Sequence, residues 1–222
     1  MLPIVRVMPL IFIFGRYSLV RSCFITFEGI DGAGKSTHLA DVAARLRAHG
    51  AEVVLTREPG GTPLAEQLRH LLLHTPMDPL SEALIAFAGR RDHVLQVISP
   101  TLQAGHTVLC DRFSDATAAY QGGGRGLSPE ILDWLECQVH PDLQPDLTFW
   151  FDLPAEVAAQ RRAQARSPDR FEQQDTGFFE RVRTVYAKRA QAFPHRFIQI
   201  NAQASIEEVR RQIHQALEAR GW

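Results

Sequence analysis

The chain predicts an α/β fold of three layers, a five-stranded parallel sheet flanked by helices on both faces. Three observations carry this expectation. Short apolar runs of strand length alternate along the chain with longer segments of helical period, which is the pattern of strands joined by crossover helices. The third strand run, Thr107-Val108-Leu109-Cys110, reads as buried on both faces. A glycine-rich turn joins the first strand run to the first helical segment, and ligands of such sheets sit at the carboxyl ends of the strands.

The elements follow in order. Cys23-Phe24-Ile25-Thr26-Phe27 is the first strand, and Leu39, Val42, Ala43 and Leu46 recur at helical spacing after it. Residues 51–55 form a second strand, followed by a turn through Arg57-Glu58-Pro59-Gly60-Gly61-Thr62. Helices are predicted over 63–73 and 80–104, the second kinked at Pro100. After the third strand come helical segments at 114–121 and 128–139, then a fourth strand at 147–151. Helices at 154–165 and 176–192 flank an arginine-rich segment and precede a fifth strand at 197–200. A last helix places Ile206, Val209, Ile213 and Leu217 on one face.

With 222 residues the chain suits one sizeable core, so residues 22–222 are expected to form a single domain. Residues 1–21 stand apart as an N-terminal extension, with Met8 as an alternative start. Their apolar run, residues 8–14, is too short to span a bilayer, is bracketed by Arg6, Arg16 and Arg21, and has no clear small-residue cleavage site after it. A net charge of −1, from 24 basic and 25 acidic residues, provides no global pull toward nucleic acid or an anionic membrane. Cys23, Cys110 and Cys137 are odd in number and widely spaced, which fits reduced thiols in a reducing cytosol. The nine histidines form no metal-binding pattern.

The chemistry begins at Gly29-Ile30-Asp31-Gly32-Ala33-Gly34-Lys35-Ser36, which has the P-loop spacing of Gly, four residues, then Gly-Lys-Ser. Strand before and helix after are the context a phosphate cradle requires. Backbone N–H groups turn inward, the helix N-terminus adds partial positive charge, Lys35 would reach the β- and γ-phosphates of ATP, and Ser36 would ligate magnesium. Asp111, just beyond the third strand, is positioned to hold the same Mg2+ opposite Ser36.

Further motifs make the pattern specific. Phe27-Glu28-Gly29, Thr56-Arg57-Glu58-Pro59-Gly60-Gly61-Thr62, Asp111-Arg112-Phe113, Ala119-Tyr120-Gln121-Gly122-Gly123-Gly124-Arg125-Gly126 and Asp169-Arg170-Phe171-Glu172 together resemble the bacterial thymidylate kinases of the P-loop nucleoside monophosphate kinase group. The resemblance runs from about residue 22 almost to the C-terminus. It implies the P-loop kinase fold with a short lid at about 161–172, and transfer of the γ-phosphoryl of ATP to dTMP, giving dTDP and ADP. The nucleophile would be a phosphate oxygen, largely dianionic at neutral pH, so no general base is needed. The protein's task is to bring two anions together and stabilise charge.

The resemblance also assigns roles. Arg69 and Arg112 would clamp the dTMP phosphate, and Asp31 would contact the deoxyribose 3′-hydroxyl. Gly32 and Ala33 stand where some relatives carry a P-loop arginine, which implies that the lid supplies it; Arg166 is the first choice, with Arg162 and Arg170 as alternatives. Phe87 stacking on thymine with Arg90 reading its edge is the favoured register, and Arg91, four residues after Phe87, is the other. Thr117 and Gln121 match positions near the nucleotide, Tyr120 one near the sugar 2′ position, and Glu58-Pro59 a turn whose peptide is often cis. Asn201-Ala202 resembles the adenine-side loop. The family resemblance further implies a homodimer, to which the apolar stretches near 82–97 would contribute. The cysteines place it in the cytoplasm, and the charge balance and the short apolar run imply neither nucleic acid nor a stable membrane association.

Overall fold

In the computed structural model, the structure describes residues 22–162 and 170–222, save the side chain of Arg162. The strands are β1 (Phe24–Glu28), β2 (Val53–Arg57), β3 (Thr107–Asp111), β4 (Leu147–Asp152) and β5 (Phe197–Asn201). They form one parallel sheet in the order β2-β3-β1-β4-β5, so the strand that feeds the glycine loop is central. β1 pairs with β3 through Phe27 and Asp111, and with β4 through Glu28 and Trp150, which brings the loops after all three strands to one edge. β2 starts two residues later than its apolar run suggests because its register with β3 extends to Arg57 opposite Asp111.

The helices are α1 (Lys35–Ala48), α2 (Pro63–His74), α3 (Pro79–His93), α4 (Ser99–Gln103), α5 (Ser114–Thr117), α6 (Pro129–Val139), α7 (Ala155–Arg162), α8 (Thr176–Ala192) and α9 (Ile206–Glu218). Local chemistry sets several starts. Thr62 accepts from the Ala65 N–H ahead of α2, Asp78 from Leu80 and Ser81 ahead of α3, and Asp175 from Phe178 ahead of α8. Pro63 and Pro79 occupy first-turn positions, where no N–H is missed.

The fully buried rings of Phe27, Phe149 and Phe151 pack with Val42 and Leu46 of α1 and Ile213 of α9 in the main core. Phe24, Val108 and Cys110 point the other way, onto Val94, Ile98 and Phe113. Cys23, Cys110 and Cys137 are all free thiols; the first two are buried and Cys137 is exposed.

Two predicted helices change character along their length. The 80–104 helix passes through a π-helical turn at Val94–Ile98 and resumes as α4, so the irregularity lies just ahead of Pro100, which cannot donate to the ladder. The helix expected at 114–121 ends at Thr117 and widens into a π-helical segment, Ala118–Gly124. The cause is close approach: a Cβ on Gly124 would lie 2.3 Å from the Phe178 ring of α8, and one on Gly123 would lie 2.8 Å from the Arg181 carbonyl oxygen. Glycines here let α8 press against the segment that carries Tyr120 and Gln121.

Candidate active site

The loop between β1 and α1 turns sharply at Gly29, whose φ is 134°; a Cβ there would lie 2.5 Å from the Phe151 carbonyl oxygen of β4. No side-chain cap precedes α1, so its first N–H groups are left for an anion. Lys35 Nζ donates to the carbonyl oxygens of Gly29 and Ile30 at 3.0 and 3.2 Å, arching the loop around itself. Burial, together with the neighbouring Arg112, lowers the Lys35 pKa. Loop and helix start line a cavity with Asp31, Gly32, Gly34 and Ser36, and Arg57, Glu58, Arg69, Asp111 and Arg112 form its other wall.

Arg112 sits at the junction. Its φ of 72° is the left-handed region, which costs a residue with a Cβ about 1–2 kcal/mol and is kept only where surroundings hold it. Nη2 donates to Asp31 Oδ1 at 2.9 Å and to Tyr120 Oη at 3.1 Å, while Tyr120 Oη donates to Asp31 Oδ2 at 2.9 Å. The guanidinium also lies 4.9 Å from the Tyr120 ring centre. Burial pushes the Asp31 carboxyl up, but Arg112, Lys35 and Tyr120 outweigh it and hold the group well below the usual carboxylate range.

A second cavity opens from the first. The two share Asp31, Glu58, Arg69 and Arg112, and the second continues past Ala86, Arg90, Thr117, Tyr120, Gln121 and Phe171. Arg90 is 3 % exposed; Nε donates to Glu58 Oε2 at 2.7 Å and Nη2 to Thr117 Oγ1 at 2.9 Å. Its Nη1 is buried with no hydrogen-bond partner, so one charged donor is left over. Glu58 Oε1 accepts from His93 Nδ1 at 2.9 Å, and His93 Nε2 meets Thr56 Oγ1 at 2.7 Å. Burial raises Glu58, yet Arg90 and His93 more than compensate and keep it ionised. The Glu58-Pro59 peptide is cis, and Arg69 Nη1 donates to the Pro59 carbonyl at 2.8 Å.

These contacts correct the thymine register. Phe87, expected to stack on the base, does not line the cavity; it is buried with Ala83, Leu132 and Leu135, and its ring lies behind Arg90, 4.7 Å from the guanidinium carbon. The physical reason is helical phase: position i−4 from Arg90 is Ala86, and that residue faces the cavity. Arg91 is exposed and donates to the Val139 carbonyl instead. The aromatic rings in the second cavity's wall are Phe113, Tyr120 and Phe171, with Phe171 edge-on to Tyr120.

Arg166, the first choice for the lid arginine, lies outside the described residues, as does the Arg162 side chain. Arg170 has its donors engaged elsewhere: Nη1 meets buried Glu82 at 2.6 Å and Nη2 the Leu72 carbonyl at 2.7 Å. Glu82 also pairs with Arg125 and accepts from Gln121, so Gln121 is linked through Glu82 to Arg170. Sequence reasoning attached no role to Glu28, Glu82, His93 or Tyr186. Only Glu28 carried a signal, an acidic residue ending an apolar strand, since a buried carboxylate must be paired.

Asp111 Oδ1 is buried without a hydrogen-bond partner, and Asp111 and Ser36 line the same cavity, oxygen donors of the kind a hard divalent cation takes. Among the described residues no cluster of three or more His, Cys, Asp or Glu could hold a metal ion.

A P-loop after the central strand, its cavity sharing Asp31, Glu58, Arg69 and Arg112 with a walled second cavity, defines the class as a P-loop kinase fold. The comparisons narrow this class. Residues 27–213 match the family model described as thymidylate kinase. A thymidylate kinase of Albidiferax ferrireducens is 56% identical over 207 residues, covering 90% of this chain and 96% of that protein. One of Cupriavidus metallidurans is 59% identical over 191 residues, covering 86% and 95%. The crystal structure of thymidylate kinase from Ehrlichia chaffeensis has a TM-score of 0.73 to this chain at 38% identity, covering 89% of this chain and 99% of that one. The chain belongs to the thymidylate kinase family.

Proposed function

We propose that the chain transfers the γ-phosphoryl group of ATP to dTMP, forming ADP and dTDP. One observation carries the reading: the P-loop cavity and the acceptor cavity meet at a shared wall of Arg69, Arg112 and Asp31, the place where a donor and an acceptor phosphate would face one another. An oxygen of the dTMP phosphate attacks the γ-phosphorus, the bond from that phosphorus to the β,γ-bridging oxygen breaks, and its electron pair leaves on ADP. The acceptor carries its own nucleophilic charge, which accounts for a site without a general base.

The residues divide the work. Gly29, Ile30, Gly32, Ala33, Gly34 and Lys35 cradle the ATP phosphates, with Ser36 and Asp111 holding Mg2+. When bound there, Mg2+ would supply charge neutralisation for the ATP phosphates. Arg69 and Arg112 hold the acceptor phosphate, Asp31 takes the 3′-hydroxyl, and Tyr120 closes the space around the sugar. Arg90 directs its unpaired Nη1 at a base carbonyl, with Glu58 and Thr117 fixing its other donors. Gln121 completes the pocket, and Arg166 from the lid offsets charge on the transferred group. The kinase domain is residues 22–222, preceded by an extension.

The enzyme works as a cytoplasmic homodimer through α3 and the turn after it, where Leu80, Leu84 and Leu95 are exposed. Among the described residues no helix is long and apolar enough to cross a membrane. The test is magnesium-dependent ADP formation with dTMP, dUMP, UMP, dCMP or AMP as acceptor and a no-acceptor control. A dTMP preference with little background hydrolysis is expected. Transfer to a different acceptor overturns the thymine pocket, and folded, ATP-bound protein without transfer overturns the kinase reading.

A further inference from the structure

Arg112 adopts a backbone conformation unfavourable to it, and all the peptide groups around it are tied down. Its N–H donates to the Phe27 carbonyl at 3.0 Å, its carbonyl accepts from the Cys110 thiol at 3.0 Å, and the next N–H, that of Phe113, donates to Glu28 Oε1 at 2.7 Å. The other oxygen of Glu28 accepts from Tyr186 Oη at 2.7 Å, and Tyr186 Oη in turn accepts from Arg112 Nη1 at 3.3 Å. One buried carboxylate thus reaches Arg112 twice, through the backbone beside it and through the tip of its side chain.

We infer that Glu28 and Tyr186 are positioning residues: together they form a cradle that holds the Arg112 guanidinium in the one pose able to meet both the acceptor phosphate and Asp31. Neither residue can touch substrate. Glu28 and Tyr186 are both fully buried, and neither lines either cavity. Tyr186 comes from α8 and stacks on Trp150 of β4, and α8 reaches this depth because Gly123 and Gly124 allow its close approach. A carboxylate is needed where a neutral side chain would not serve, since Glu28 must accept from two donors on opposite sides while facing the Arg112 charge. Removing the Tyr186 hydroxyl leaves Arg112 Nη1 without this acceptor and frees the guanidinium to swing toward Asp31.

The inference rests on the dTMP kinase reading, so the experiment first confirms dTMP-dependent ADP formation by the wild-type full chain. Failure there sinks that reading and is told apart from failure of the cradle. Tyr186→Phe and Glu28→Gln are then compared with wild type. Tyr186→Phe is expected to lower kcat/KM for dTMP about tenfold, the loss of one hydrogen bond to a charged group, with KM for ATP unchanged within about twofold. Glu28→Gln should lower it further, and Tyr186→Phe serves alone if Glu28→Gln does not fold. In an Arg112→Ala background Tyr186→Phe should have no additional effect, because its whole contribution runs through the arginine. The cradle is refuted if Tyr186→Phe leaves dTMP kinetics unchanged, shifts the ATP and dTMP constants equally, or adds fully to Arg112→Ala.

Discussion

The leftover donor on Arg90 makes base selection calculable. Arg90→Lys keeps a positive charge beside Glu58, so the buried carboxylate stays neutralised, but an ammonium cannot span the three directions the guanidinium serves. Nε and Nη2 are committed to Glu58 and Thr117, which leaves Nη1 as the donor proposed to meet the base. Thymine offers a carbonyl acceptor at C4 where cytosine offers an amino donor. A hydrogen bond involving a charged group is worth about 1.5–3 kcal/mol, which at about 1.4 kcal/mol per tenfold is a loss of roughly 10–150-fold in kcat/KM for dTMP. Because wild type sets donor against donor when dCMP enters, the same substitution should narrow the dTMP over dCMP preference by a comparable factor. Steady-state kinetics with both acceptors at saturating ATP measure the two effects together. A variant with native discrimination between dTMP and dCMP would show that Arg90 does not read the base, whatever its effect on overall rate.

Other expectations follow from the same geometry. Asp111→Asn removes charge from the carboxylate that shares the P-loop cavity with Ser36, and should raise the magnesium concentration for half-maximal activity about tenfold or more in a titration at fixed ATP. Arg166→Ala should depress kcat far more than dTMP affinity, measured by turnover beside calorimetric binding of dTMP, and near-native turnover would take Arg166 out of the role. Asp115 is fully buried between Arg189 and Arg196, so Asp115→Asn should cost about 3–5 kcal/mol in denaturant unfolding. For Asp115 and Glu58, burial raises the pKa but their arginines outweigh it, so the unfolded chain binds more protons and this stability is lost as pH falls through the depressed folded values. Glu28 has the opposite sign: burial, then Asp115, pushes it from 4.5 to about 7, so its contribution declines as pH rises through that window, and Glu28→Gln should flatten that decline in melting temperature.

What the sequence made legible was whatever local pattern determines. The five strands, their parallel arrangement and the glycine loop follow from apolar runs, crossover helices and a fixed spacing of glycines, and all five strands pair as a parallel sheet. Phe87 was misplaced because two neighbouring helical residues differ by about 100° in direction, and nothing local tells which face of α3 looks into a pocket and which into Leu132 and Leu135. The π-helical segment at Ala118–Gly124 was missed for a related reason: it depends on how closely α8 packs, a contact between residues more than fifty positions apart. His93 and Tyr186 are invisible to motif reading because each acts through a partner distant in the chain, Glu58 in one case and Glu28 in the other.

The charge balance of the P-loop cavity explains why so much of the chemistry depends on groups that arrive from elsewhere. Among the described residues its walls carry four cations, Lys35, Arg57, Arg69 and Arg112, against three anions, Asp31, Glu58 and Asp111. Of the cations, Arg57 is paired with Glu66 and Arg112 with Asp31. Such a small surplus can attract one phosphate chain but cannot offset a triphosphate and a dianionic acceptor held at reaction distance, whose repulsion grows as water leaves. On the proposed mechanism the remaining charge would come from magnesium held by Ser36 and Asp111 and from Arg166. In the proposed reaction Arg112 would meet the acceptor phosphate while keeping its contact with Asp31, whose carboxylate would also accept from the 3′-hydroxyl. A site held just short of neutrality in this way is inefficient with either nucleotide alone, and low hydrolysis of ATP without dTMP is the expected consequence.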